Sequence, residues 1–148
     1  MEVEMLSRSD LIALALGARR DGAAIANGRR AARLRAIKAD ILENLGSVEL
    51  TVTAVALRQR VTPRYIHMLF ETEGVTFSEF VLGERLMSTH RMLCDPRFAG
   101  LSVSAIAFGA GFGDLSYFNR TFRRRFRATP SELRNSLRDS ESSGEARA

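Results

Sequence analysis

The feature that most constrains the fold of this chain is a pair of short helices, joined by a tight turn, that occurs twice. The pattern lies at residues 51–72 and again at residues 103–125. Corresponding positions of the two copies are apolar: Val52, Val55, Ala56, Ile66, Leu69 and Phe70 in the first, and Val103, Ile106, Ala107, Phe118 and Phe122 in the second. Two helix-turn-helix patterns in one chain are much stronger evidence for that motif than one.

Residue types that begin and end helices divide most of the chain into helices. Apolar residues recur at spacings of three and four, and no stretch shows the sustained alternation of a β-strand. Serine, threonine or proline begins most of the predicted helices, which span about residues 31–45, 51–58, 63–74, 77–94, 103–108, 114–125 and 130–138. The sequence therefore predicts an all-α fold of about seven helices, in which a long linker helix joins two helix-turn-helix subdomains.

The two ends of the chain carry weaker signals. Ser9 and Asp10 predict the start of a short helix, but the stretch RRDGAAIANG that follows holds two glycines and little to bury. This stretch is predicted to be a linker or a frayed helix. Residues 139–148 are small and polar, and they are predicted to form a disordered tail.

The charge of the chain favours a nucleic-acid partner. The net charge is +5, and nearly all of the positive charge is arginine because Lys38 is the only lysine. Such an excess implies an anionic partner, nucleic acid before a membrane surface. No apolar run approaches the roughly 18 residues of a membrane span, and the start MEVEMLSRSD is unlike a secretory signal. We therefore expect a cytoplasmic protein with no membrane contact.

Patterns of catalytic and metal-binding residues are missing from the sequence. Cys94 is the only cysteine, which excludes an intramolecular disulfide and a multi-cysteine zinc site; we expect it to be a small buried residue at a helix end. His67 is expected on an exposed helix face and His90 in packing, and nothing places the two together with carboxylates. No paired-carboxylate, Cys/His or Ser/His/Asp arrangement suggests an enzyme. We expect no catalytic activity, metal or cofactor.

The stretch AGFGDLSYFNRTFRRRF, residues 110–126, could be a phosphate loop, the solvated edge of a helical core or a DNA-reading helix. A dinucleotide loop needs G-x-G-x-x-G after a strand, whereas residues 109–113 read G-x-G-x-G after a predicted helix. The glycines fit a sharp turn instead, with Phe112 as its apolar residue and Asp114 in the first turn of the next helix. On that helix Tyr117, Phe118, Thr121 and Phe122 form the predicted inward stripe. The opposite face carries Leu115, Ser116, Asn119, Arg120 and Arg123.

A resemblance to AraC/XylS-type transcription regulators lies in residues 102–134, which read SVSAIAFGAGFGDLSYFNRTFRRRFRATPSELR. Residues 50–86 resemble the family's first helix-turn-helix and linker helix. The resemblance implies a DNA-binding domain at residues 31–138, with two homeodomain-like subdomains (about residues 50–72 and 102–125) joined by the linker helix 77–94. It also implies an activator that contacts RNA polymerase. Residues 1–30 would be the remnant or linker of an N-terminal sensor or dimerisation domain, through which a homodimer could form.

The resemblance also assigns DNA contacts to individual residues. The implied base-contacting residues are Arg64, His67, Met68, Leu115, Ser116, Asn119 and Arg120. The phosphate-contacting residues are Thr62, Tyr65, Arg123, Arg124 and Arg127. The sequence departs from the family where Met68 replaces a common arginine, where Gly109-Ala110 replaces a bulky pair and where Gly113 replaces a serine-like cap. The last two departures are expected to loosen the second subdomain.

Two functions remain open from the sequence. In the first, the chain is a sequence-specific transcription regulator that inserts two recognition helices into successive major grooves of double-stranded DNA. In the second, it is a helical interaction module that has lost DNA binding and acts by pairing with another regulator. Binding to duplex DNA that weakens with salt would separate the two functions.

Overall fold

Seven α-helices and one 3₁₀ turn make up the fold in a computed structural model that describes residues 7–145. The helices are α1 (Arg8–Glu43), α2 (Val52–Gln59), α3 (Pro63–Glu71), α4 (Phe77–Cys94), α5 (Val103–Gly109), α6 (Leu115–Phe126) and α7 (Pro130–Glu145), and the 3₁₀ turn is Pro96–Phe98. The predicted all-α fold with two helix-turn-helix units and a linker helix is confirmed. Among the described helices, none is both long and apolar enough to cross a membrane.

Side-chain caps begin the helices at the residues that the sequence indicates. Thr51, Thr62, Thr76 and Ser102 each accept a hydrogen bond from the backbone N–H three residues later. At α4 the bond is reciprocal, because the Glu79 carboxylate accepts from the Thr76 N–H at 2.8 Å while Thr76 Oγ1 accepts from the Glu79 N–H at 3.1 Å. Hydrogen bonds from the Thr76 backbone and hydroxyl lower the pKa of Glu79 below its usual value.

Two hydrophobic cores lie at opposite ends of α4. The first joins α1, α2, α3 and the start of α4, and it consists of Leu34, Ile37, Ile41, Leu50, Val55, Ala56, Ile66, Leu69, Phe70, Phe77 and Val81. The second joins the rest of α4 to α5 and α6, and it consists of Leu86, Leu93, Ile106, Ala107, Ala110, Phe112, Phe118 and Phe122. Each subdomain therefore has its own core, and α4 is a structural part of both.

The structure corrects the prediction for the N-terminal end. α1 continues without a break from Arg8 to Glu43, so the stretch predicted to be a linker or frayed helix is helical. Ser7 caps α1 in a reciprocal box with Asp10, two residues before the predicted cap residue Ser9. Each internal glycine costs a helix only about 1 kcal/mol, and the alanines around these glycines favour the helix. Every residue from 7 to 33 is exposed, so this half of α1 extends beyond the first core.

The C-terminal end and Cys94 also differ from the prediction. α7 extends past Arg138 to Glu145, so the predicted disordered tail is wrong for residues 139–145, and residues 146–148 lie outside the described residues. A reciprocal cap between Thr129 and Glu132 starts this helix, and a polar sequence can extend a helix that is already formed. Cys94 is exposed instead of buried, because the preceding Leu93 takes the position that faces the second core.

Candidate nucleic-acid interface

α3 turns one face to the first core and the opposite face to solvent. Its buried side chains are Ile66, Leu69 and Phe70. The three side chains predicted to contact bases, Arg64, His67 and Met68, are all exposed. The packed face fixes how the helix is held, and the exposed face remains available to a partner. This is the arrangement that a recognition helix needs in order to enter a major groove.

The start of α3 has the groups that a phosphate would contact. Thr62 Oγ1 accepts a hydrogen bond from the Tyr65 N–H at 3.1 Å, which leaves the Thr62 hydroxyl proton available to donate. Pro63 has no N–H and the Tyr65 N–H is bonded to Thr62, so the Arg64 N–H is the first-turn donor that remains at the helix start among the described residues. Tyr65 is half-buried and packs against the first core. Thr62, which caps α3, and Tyr65, in its first turn, thus lie near the end of the helix that attracts anions.

Sequence reasoning missed one acidic side chain on the exposed face of α3. Glu71, the last residue of the helix, lines the same surface depression as Arg64, His67 and Met68. A carboxylate there can accept a hydrogen bond from a cytosine amino group, whereas it would repel a phosphate. Helical spacing was the signal that could have found it, because residues 64, 67, 68 and 71 recur at intervals of three and four.

α6 is held in the second subdomain in the same way. Its buried side chains are Phe118, Thr121 and Phe122, whereas Ser116, Asn119 and Arg120 are exposed. Asp114 caps the helix, with its Oδ1 accepting from the Tyr117 N–H at 2.7 Å. The structure thereby corrects two predictions: Asp114 precedes the first turn instead of lying in it, and Gly113 is not the cap position. A carboxylate is one of the strongest N-caps, so α6 does not start from a weakened cap.

Two α6 side chains differ from their predicted faces. Tyr117, predicted to point inward, is 43% exposed. Leu115, predicted to contact bases, is half-buried and packs against the second core. Both lie in the first turn, where the helix meets the edge of the core, and the buried stripe is centred on Phe118 and Phe122. The buried part of the Leu115 side chain therefore packs in the subdomain, and only the exposed part is available to DNA.

Exposed arginines cluster at the end of α6 and just beyond it. The cluster consists of Arg123, Arg124, Arg125 and Arg127. In the described part of the chain the salt bridges are Lys38–Glu73, Arg58–Asp40 and Arg97–Asp95, none of which uses an arginine of α3 or α6. Part of the cluster's role is internal, because positive charge favours a helix C-terminus. Glu132 interacts electrostatically with Arg123, and exposed arginines outside a close salt bridge are also groups that bind DNA phosphates.

The histidines do not form a metal site. Among the described residues, no three potential His, Cys, Asp or Glu ligands come together. His90 is half-buried and packs against Phe126, with ring centroids 4.5 Å apart, which agrees with its predicted packing role. His67 lies on the exposed face of α3, in the other subdomain.

Known proteins share both the sequence pattern and the fold. A family model for a helix-turn-helix domain matches residues 55–136. Transcriptional activator RhrA of Rhizobium meliloti is 46% identical over 102 residues, covering 69% of this chain and 32% of that protein. Transcriptional activator NphR of a Rhodococcus species is 30% identical over 128 residues, covering 86% and 37%. The chain thus spans about a third of the length of these relatives. The C-terminal domain of AraT, a response regulator from Geobacillus stearothermophilus, has a TM-score of 0.64 at 22% identity and shares the fold, covering 70% of this chain and 84% of that chain.

Proposed function

Because this chain belongs to the AraC/XylS-type family of helix-turn-helix DNA-binding transcription regulators, we propose that it reads double-stranded DNA with α3 and α6 in successive major grooves. The family consists of regulators and not of enzymes. One observation carries the proposal: α3 and α6 each bury an apolar face in a separate core and leave a polar face exposed. Two such helices in one chain need two grooves.

The length of α4 supports reading in successive grooves. α4 has 18 residues, which at about 1.5 Å each give a strut of roughly 27 Å. Recognition helices on one face of DNA lie about 34 Å apart in successive major grooves. The widths of the two recognition helices, which pack beside the strut, account for the remaining distance. A strut of this length therefore fits a site of roughly two turns of DNA.

Individual side chains have distinct parts in this proposal. Arg64 of α3 can donate two hydrogen bonds to guanine O6 and N7, and Asn119 of α6 can pair with adenine N6 and N7. Met68 cannot donate a hydrogen bond, so at that position we propose an apolar contact such as one with a thymine methyl group. The phosphate contacts would come from Thr62, Tyr65, Arg123, Arg124 and Arg127. These contacts set orientation and not sequence preference.

The proposal is tested by replacing one base-contacting residue in each helix. A preferred site is first selected from random duplexes, and Arg64→Ala and Asn119→Ala are then compared by competition against every single-base change in it. Each variant should lose roughly 1–3 kcal/mol of discrimination, at opposite ends of the site. Arg29→Ala is the matched control, because it removes the same charge from the exposed half of α1. Loss of preference at one shared end, or no loss in either variant, would refute the two-groove assignment.

The alternative function predicts a different response to salt. A DNA-binding chain loses affinity for any duplex steeply between about 50 and 200 mM salt, since bound counterions are released. An interaction module that has lost DNA binding would show no such duplex binding at the lower concentration. The exposed arginines of α6, none of which is in a salt bridge in the described part of the chain, favour the DNA-binding function.

We infer activation, and RNA polymerase as a partner, from the relatives named as transcriptional activators. The exposed half of α1 supports a third partner, which is a second copy of the chain. Leu11, Leu14 and Ile25 are exposed there, and with Ala18 they recur on one helix face. An apolar stripe at this spacing is typical of paired helices.

A further inference from the structure

The two subdomains contact each other at the middle of α4 through three elements that we call the clasp. The clasp consists of the loop after α1 (residues 45–47), the turn after α5 (residues 109–111) and Arg85 of α4. Arg85 Nε donates to the Leu45 carbonyl at 3.1 Å, and Arg85 Nη2 donates to the Ser47 carbonyl at 2.7 Å. One side chain of the linker helix thereby holds a loop of the first subdomain.

Glycines allow the backbones of the clasp to approach closely. A Cβ atom at Gly46 would lie 2.7 Å from the Gly109 carbonyl oxygen. A Cβ atom at Gly111 would lie 2.5 Å from the Leu45 carbonyl oxygen and 2.8 Å from Arg85 Nε and Nη2, and Gly111 also has φ +94°. Only glycine fits at such separations. The Gly109-Ala110 pair, expected to loosen the second subdomain, instead lies in a tight contact, with Ala110 buried.

Arg85 is suited to a positioning role by its surroundings. It is half-buried, and burial lowers the pKa of its guanidinium below the usual value. In the described part of the chain it has no salt bridge, and its partners are backbone carbonyls. α1 has no basic residue in its last turn, so Arg85 supplies the positive charge that favours a helix C-terminus. The planar fork of donors fixes direction as well as charge.

We propose that the clasp sets the distance and angle between α3 and α6, and thereby the spacing between half-sites that the chain accepts on DNA. The effect on half-site spacing rests on the proposed function, whereas the effect on the distance and angle between α3 and α6 does not. Each core is built on a different end of α4, so without the clasp the middle of α4 alone would have to fix the angle between the subdomains. The clasp closes a second connection across that point. Gly46 and Arg85 are then positioning residues that act through the two recognition helices.

Two alanine substitutions on opposite sides of one contact test the geometric part. Gly46→Ala places a methyl group against the Gly109 carbonyl, whereas a Cβ atom at Gly109 meets nothing within 4 Å. Spin labels are attached at Thr53→Cys in α2 and Ala105→Cys in α5, both exposed, with Cys94→Ser as background. The label-to-label distance distribution should be unchanged in Gly109→Ala and shifted or broadened in Gly46→Ala. An unchanged distribution in Gly46→Ala would overturn the clasp, whether or not the chain binds DNA.

The DNA part is tested by changing the spacing within the selected site. One base pair is inserted or removed between the half-sites, which shifts one helix from its contacts in a rigid protein. The parent and Gly109→Ala should discriminate against the altered spacing by on the order of tenfold or more, the equivalent of one lost bidentate contact. Gly46→Ala should retain base preferences at each end but discriminate less than about threefold by spacing. Full spacing discrimination in Gly46→Ala would refute the proposal.

A second variant keeps the test decisive if circular dichroism shows that Gly46→Ala does not fold. Arg85→Lys keeps the positive charge but lacks the forked donors, so it should also relax spacing discrimination. A folded Arg85→Lys protein that keeps both the parent's distance distribution and its spacing discrimination would overturn the role of Arg85. If the parent itself shows no sequence preference, the proposed function fails, and the distance measurement still decides the clasp.

Discussion

Gly83, in the interior of α4, should be replaceable by alanine with a gain in stability. A Cβ atom at this position meets nothing within 4 Å, and the residue lies well inside the helix Phe77–Cys94. Alanine limits the unfolded chain and has the higher helix propensity, which together contribute about 0.5–1 kcal/mol. We therefore expect Gly83→Ala to raise the free energy of unfolding by about that amount.

Gly74 provides a matched control of opposite sign. A Cβ atom there also meets nothing within 4 Å, but the residue has φ +70°. The left-handed conformation costs an alanine about 1–2 kcal/mol, partly offset by the lower entropy of the unfolded chain. Gly74→Ala should thus lower the free energy of unfolding by roughly 1 kcal/mol. The same methyl group is added to open space in both variants, so the difference between them isolates backbone conformation.

Urea unfolding followed by circular dichroism measures both variants against the parent. The comparison holds where the slopes with urea are equal, because an altered slope signals a change in the surface exposed on unfolding. A loss of stability in Gly83→Ala equal to that in Gly74→Ala would refute the reasoning. It would mean that α4 is not a regular helix at residue 83, or that a neighbouring group occupies the space beside it.

Two further predictions concern charge. Replacing Arg123 and Arg124 with alanine should weaken binding to all duplexes about equally, since phosphate contacts carry no sequence information. The slope of log affinity against log salt concentration should fall in magnitude by roughly one to two. Lost site discrimination at an unchanged slope would contradict this assignment. Glu79→Gln should destabilise the chain at neutral pH but not near pH 2. The pKa of Glu79 in the folded chain lies below its usual 4.5, so the ionised carboxylate stabilises the fold above that pH. This stabilisation is lost as the pH falls through the folded pKa. Urea unfolding at both pH values checks it, and a difference independent of pH would contradict the role of the charged cap.

Helix starts and cores were predictable because their causes are local in sequence. The caps at Thr51, Thr62, Thr76 and Ser102 each involve a side chain and a backbone N–H three residues away. Apolar spacing likewise predicted the buried stripe of Phe118 and Phe122 on α6, because helix geometry converts spacing directly into a face. The resemblance implied that Arg64, His67 and Met68 contact bases, and all three lie on the exposed face of α3.

The remaining features depend on long-range contacts or on weak local preferences. Arg85 lies 40 residues from the carbonyl of Leu45, so no local pattern marks their contact. Gly46 and Gly109 each look like an ordinary turn glycine in the sequence, and only the fold shows that they meet. The continuity of α1 is not evident from the sequence, because two glycines oppose the helix preference of the surrounding alanines. At Asp114, a one-residue difference in the helix start changed a first-turn residue into the cap.

The exposed half of α1 yields the prediction that decides the homodimer. Leu14 is 69% exposed on the apolar stripe of α1, and Leu57 is 80% exposed on α2, away from that stripe. A glutamate at position 14 would place an unpaired charge between two apolar helices, at a cost of several kcal/mol if it stays ionised. Sedimentation equilibrium should therefore show a concentration-dependent dimer for the parent and for Leu57→Glu, and a monomer for Leu14→Glu. If the parent is monomeric at every concentration, or if Leu57→Glu disrupts the dimer as strongly as Leu14→Glu does, the pairing surface does not lie on α1.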